Sequence, residues 1–207
     1  MTTSPRPGQG AAAAAHGLLD VVLGAQHAFR MALQALSRPG RVVELQAPLV
    51  PPDGMGLAMA ALALTLADYE TPIWMDEQLS ADENVSGYVR FHTGARLVCE
   101  PDKSAFALIS DSVRMPALAR FGQGTPEYPD RSTTLVIEVQ SLEEGAWLLT
   151  GPGIETSRTF SAAPLPPDFL DQLSRNHASF PCGVDVLLTS GSRLAALPRS
   201  TRIAERQ

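Results

Sequence analysis

The sequence predicts an α/β domain built on a mixed central sheet with helices on its faces. Stretches with helical apolar spacing alternate with short runs rich in β-branched residues, the pattern of helices packed against strands. Some of those runs follow each other through tight turns, so the sheet is mixed and not wholly parallel. The chain has 207 residues, no internal repeat and no interdomain linker, which fits one domain able to bury roughly 70% of its unfolded surface. Residues 1–15, a Pro/Gly/Ala segment, are expected to be a disordered tail, and 16–207 to form the domain.

The first helix is expected over 18–37. Val22, Ala25, Phe29, Leu33 and Leu36 form an apolar stripe, Gln26, Arg30, Gln34 and Ser37 face the other way, and Pro39-Gly40 stops the helix. A short strand over 42–45 and a stiff proline loop follow. Residues 54–68 read as a helix that is apolar nearly all round, hence buried. Asp68-x-Glu70 stands at its end beside Thr71-Pro72, where a proline forces the chain out of helix. Strands are expected over 72–75, 96–99 and 106–109, helices over 82–92 and 116–121. Residues 133–139 form the strongest strand, expected to pair with 147–150 across a Glu143-Glu144-Gly145 turn. Gly151-Pro152-Gly153 reads as a turn and 154–160 as a further strand. A helix over 166–177 begins on two prolines with Asp168 in its first turn, and strands over 184–188 and 194–197 close the sheet.

Apolar residues make up 44% of the chain and charged residues 18%, which is globular composition and not disorder. The formal net charge of −6 argues against a nucleic-acid footprint. No apolar run reaches the ~18 residues of a membrane span. The N-terminal apolar stretch is broken by His16 and Asp20 and is no secretory signal, so a cytoplasmic protein is expected. Cys99 and Cys182 are expected to be free, buried thiols. Among 16 basic residues only Lys103 is a lysine, so any Schiff-base chemistry would have to use it.

No strong catalytic signature is present: no phosphate-cradling GxxxxGK[ST], no GxGxxG after a strand, no HExxH, CxxC or GxSxG. The four histidines lack the i, i+4 spacing of a helical metal site, so no metal is expected. Arg90-x-His92-Thr93 is the best anion-binding candidate, because a guanidinium fork matches phosphate. Its alternative is a solvated helix end with cations near the C-terminus. Arg199, in Arg199-Ser200-Thr201, suits an anion, a surface turn or a partner contact. Asp185 opens an apolar strand and either faces a pocket or anchors a loop.

Several pieces in order carry a family resemblance. They are Gln26-His27-Ala28-Phe29-Arg30, Ala35-Leu36-Ser37-Arg38-Pro39-Gly40, Leu64-Thr65-Leu66-Ala67-Asp68, Thr71-Pro72-Ile73-Trp74 and Arg90-Phe91-His92-Thr93. Further on come Gly124-Thr125-Pro126-Glu127, Gly151-Pro152-Gly153-Ile154, Phe180-Pro181-Cys182-Gly183-Val184-Asp185 and Leu197-Pro198-Arg199. Over about residues 26–202 the chain resembles the PhnH family, a subunit of the bacterial carbon–phosphorus lyase system. The resemblance implies a three-layer α/β/α fold, similar to pyridoxal-phosphate-dependent transferases but without the cofactor, and a homodimer. It implies a core complex with three other subunit types that forms ribose 1-methylphosphonate 5-triphosphate from ATP and methylphosphonate. A separate radical iron–sulfur partner then cleaves the carbon–phosphorus bond. Two cysteines cannot supply a cubane, and Lys103 lies in an acidic, proline-bearing loop. The expectation is a structural or site-completing subunit that is not catalytic alone. Two other readings stand beside it: a free-standing transferase using Arg90, His92, Asp185 and Arg199, and a small-anion-binding module.

Overall fold

The structure, a computed structural model, describes residues 17, 18 and 21–205. The expected tail over 1–15 lies outside the described residues. The elements run α1 (Val21–Ser37), β1 (Val43–Glu44), α2 (Leu57–Leu66), β2 (Ile73–Met75), α3 (Glu77–Ala81), α4 (Glu83–Thr93), β3 (Leu97–Val98), β4 (Phe106–Ile109) and β5 (Thr134–Glu138). They continue through β6 (Ser141–Thr150), β7 (Arg158–Ala163), α5 (Phe169–Ala178), β8 (Asp185–Ser190), β9 (Arg193–Leu197) and β10 (Arg202–Glu205). None of these helices is long and apolar enough to cross a membrane.

A mixed seven-stranded sheet in the order β1-β9-β8-β5-β4-β2-β3 carries the fold. From β3 to β8 the neighbours run parallel, and β9 and β1 join antiparallel at the other end. Side chains of a strand alternate between faces, and both faces of this sheet are apolar. Leu108, Val136 and Leu187 pack with α1, α2 and α4. Ile109, Ile137 and Leu188 pack with α5 and with a second, three-stranded sheet, β10-β6-β7. The mixed α/β class expected from the sequence is therefore present, with one helix and a small sheet on the second face.

Five expectations are corrected. The strong strand β5 does not pair with the 147–150 segment: its neighbours are β4 and β8, both parallel. The Glu143-Glu144-Gly145 segment is no turn but a register shift within β6, between Glu143 and Trp147, opposite β7. The reason is that a run of β-branched residues buried on both faces fits any central position and does not name its partner. On α1 the buried stripe is Ala28, Ala32 and Ala35, at 0–2% exposure, while Phe29 and Leu33 stand 48% and 50% exposed. Small side chains win the inner face because α1 lies close against α2 and β9. Residues 116–121 hold only a 3-10 turn, Leu118–Arg120. Both cysteines are free, but Cys99 is exposed and Cys182 half-buried, so neither is a core thiol.

Two features fit the sequence reading closely. Residues 58–63 of α2 are all buried, as a helix apolar on every side requires. The Gly151-Pro152-Gly153 turn abuts the end of α1. Gly153 has φ +82°, and a Cβ there would stand 2.2 Å from the Ser37 carbonyl oxygen, so only glycine fits.

Candidate functional site

The structure gathers the singled-out residues into two groups. Asp185 opens β8, and Arg199 lies in the turn after the antiparallel β9, so the hairpin brings them to the same end of the sheet. The pair is bidentate: Arg199 Nη2 donates to Asp185 Oδ2 at 2.7 Å and Nε to Oδ1 at 3.2 Å, while the Arg199 backbone N–H donates to Oδ1 at 2.9 Å. Arg199 Nη1 also donates to the Pro129 carbonyl at 2.8 Å and the Pro181 carbonyl at 3.3 Å, and Nη2 donates to the Ser132 hydroxyl. A guanidinium has five N–H donors, and here each has an acceptor. Arg199 thus ties three loops to the start of β8.

Beside it, buried Asn176 of α5 accepts from Val184 N and donates to Val184 O, both at 2.8 Å. His177 lies 3.1 Å from the Arg199 carbonyl through Nδ1, and its Nε2 accepts from Arg202 Nε at 3.1 Å. The tautomer satisfying both contacts carries its proton on Nδ1.

Arg90, His92 and Thr93 ride on α4, which leads from β2 to the edge strand β3, with β4 and β5 between that region and β8. Exposed Arg90 donates from Nε to its own helix at Ser86 O, 3.4 Å away. Thr93 donates to Val89 O at 2.7 Å and accepts from Ala95 N, around the helix stop at Gly94 (φ 69°). His92 meets Tyr88 and Phe91 edge-on, 4.6 and 5.0 Å between ring centres. Burial pushes the Tyr88 phenol above its ordinary pKa.

The carboxyl ends of parallel strands, where ligands commonly bind in open α/β sheets, hold two carboxylates that sequence reasoning missed. Buried Asp76, just past β2, accepts from the backbone N–H groups of Leu79, Ser110 and Asp111 at 2.9, 2.6 and 2.8 Å, and from the Ser110 hydroxyl. It caps α3 and staples it to β4. Its signal was an aspartate directly after an apolar run, the N-cap pattern. Glu138, ending β5, accepts from the Thr189 hydroxyl and from Gly191 N at 3.0 Å. Nearby, the Arg114 side chain donates to Asp111 at 2.6 Å and holds that carboxyl below the usual carboxylate range.

Sequence reasoning also missed a cleft of about 640 Å³ between the end of α1 and the start of the β6–β7 pair. Arg41, Arg158 and Arg193 line it, with Ser157, Thr159, Glu143 and Glu144. These arginines are more than 30 residues apart at the nearest, and no motif links them. Among the described residues no group of three or more His, Cys, Asp or Glu side chains is placed to hold a metal ion.

Residues 16–204 match the PhnH family, described as bacterial phosphonate metabolism proteins. The chain is 40% identical over 185 residues to the "Alpha-D-ribose 1-methylphosphonate 5-triphosphate synthase subunit PhnH" of Rhizobium meliloti (strain 1021), covering 89% of this chain and 92% of that one. It is 33% identical over 180 residues to the "Putative C-P lyase subunit protein HtxG" of Stutzerimonas stutzeri, covering 86% of this chain and 85% of the relative. With a match that spans nearly its whole length and relatives aligned over most of theirs, this chain belongs to the PhnH family of bacterial phosphonate metabolism proteins.

Proposed function

We propose that this chain is a subunit of the carbon–phosphorus lyase core complex. In this reading it supports formation of ribose 1-methylphosphonate 5-triphosphate from ATP and methylphosphonate, as a structural or site-completing partner without activity alone. The observation that carries it is the 40% identity to a synthase subunit over 92% of that relative, which leaves no large segment of it unmatched. The state of the singled-out residues supports a non-catalytic role. Arg199 spends its donors on internal acceptors, and Thr93 on its own helix end. Lys103, the sole lysine, has a side chain 63% exposed beside Asp102, a poor setting for a desolvated amine.

The same reading includes a three-layer arrangement related to pyridoxal-phosphate-dependent transferases but kept without the cofactor, one domain over 16–207, a homodimer and a cytoplasmic location. The outer face of α1 supports an assembly role, since Phe29 and Leu33 are half-exposed apolar side chains on one helix. A free-standing transferase built on Arg90, His92, Asp185 and Arg199 is less favoured, because those residues fall into two groups separated by β4 and β5. The test is copurification of the tagged chain with the other subunits, followed by assay of the product with and without this chain. Recovery of the partners and loss of product on omission are expected. A chain that elutes alone, with full activity in its absence, refutes the reading.

A further inference from the structure

We propose that the cleft at Arg41, Arg158 and Arg193 binds a nucleoside or sugar polyphosphate. The inference rests on unspent hydrogen-bonding capacity. Among the described residues Arg158 donates only to the Pro39 carbonyl, and Arg193 only to the Leu142 carbonyl and the Ser190 hydroxyl, all at 3.4 Å, the long limit of a hydrogen bond. The Arg41 side chain has no hydrogen bond among the described residues. Arg199, by contrast, places all its side-chain donors on acceptors, at 2.5–3.3 Å.

The three guanidiniums also lack ion pairs. The chain carries 22 acidic residues against 16 basic ones, and Glu143 and Glu144 line this very cleft. Among the described residues, however, no carboxylate comes within 4 Å of Arg41, Arg158 or Arg193. Three cations from three distant segments, left unpaired in one concavity of an acidic protein, mark a place for several phosphoryl oxygens. Planar guanidinium forks match such oxygens two at a time. Arg158 and Arg193 are half-buried, so their positions are set by the fold, and the Ser157 and Thr159 hydroxyls add donors at the wall. The exposed carboxylates of Glu143 and Glu144 disfavour a bare anion filling the whole cleft. They favour a ligand with phosphates at the arginines and hydroxyl groups at the glutamates. A volume of about 640 Å³ lies within the range of small-molecule sites.

The test is calorimetry on the purified full chain at low salt, with ATP, tripolyphosphate, inorganic phosphate and adenosine. ATP is expected to bind at least ten-fold more tightly than inorganic phosphate, with adenosine silent. The double variant Arg158→Gln/Arg193→Gln should weaken ATP at least ten-fold, and Arg120→Gln, on an exposed turn elsewhere, should not. If the double variant fails to fold, Arg41→Gln serves, since that side chain has no internal hydrogen bond to lose; it should weaken ATP at least three-fold. Absence of ATP heat at millimolar concentration, equal affinity for ATP and phosphate, or unchanged affinity in the variants overturns the proposal. The experiment needs no partner subunit, so its failure leaves the assembly reading standing, and failed copurification leaves this one standing.

Discussion

Replacing Arg199 by Met removes the cation from a pair whose side chains are only 13% and 25% exposed. Breaking a buried pair by deleting one partner costs about 3–5 kcal/mol, because the other charge is left desolvated. The quarter exposure of Asp185 lets water recover part of that, so a loss of about 2–4 kcal/mol is expected. For a domain of this size each kcal/mol lowers Tm by about 2–4 °C, and a loss of about 3 kcal/mol therefore lowers it by about 6–12 °C. The double variant Arg199→Met/Asp185→Leu should recover much of the loss, because no orphaned charge remains, and the cycle should yield a coupling energy of at least about 1.5 kcal/mol. Differential scanning calorimetry of wild type, both single variants and the double variant reads all four corners. A drop below about 2 °C for Arg199→Met, or coupling under about 0.5 kcal/mol, would show that the clamp is ornamental and that Arg199 is free for other work.

Two further outcomes are expected. Gly54 and Gly153 share a left-handed backbone (φ +84° and +82°), but a Cβ at Gly54 meets nothing within 4 Å whereas at Gly153 it strikes the Ser37 carbonyl. Gly54→Ala should cost only the ~1–2 kcal/mol of backbone strain and Gly153→Ala distinctly more; equal melting temperatures would refute the close approach. The hydrogen bond from the Arg114 side chain lowers the Asp111 pKa, so its contribution to stability is present above the unfolded carboxylate value and is lost as pH falls through the lowered folded value. In Arg114→Gln the Asp111 carboxyl resonance should titrate at higher pH by NMR, and an unmoved midpoint would exclude the pairing.

The burial of α2 was legible because six consecutive apolar residues leave no polar face to turn outward. β4 was legible to the residue, as the apolar run Phe106–Ile109. The α1 face was misread because alanine is silent in a hydrophobic periodicity, and close helix packing selects small side chains over large ones. Asp185 and Arg199 were both singled out, yet their pairing depends on a hairpin register that spacing alone does not give. The arginine cleft was invisible for a stronger reason: Arg41, Arg158 and Arg193 come from a loop and two strands of different sheets. Only the packing of β6 and β7 beside β9 brings them to one place.

The end of the large sheet where β1 lies on β9 also sets a timetable. Val43 pairs with Leu194, about 150 residues away in the chain. At a synthesis rate of about 5–20 residues per second, the first strand leaves the ribosome roughly 8–30 seconds before its partner exists. Through that interval α1 lacks the β9 surface that its alanine face is shaped to meet. Of the described strands β1 is thus made first and waits for one of the last to be made, and the Arg41 side of the arginine cleft meets Arg193 only once β9 is in place.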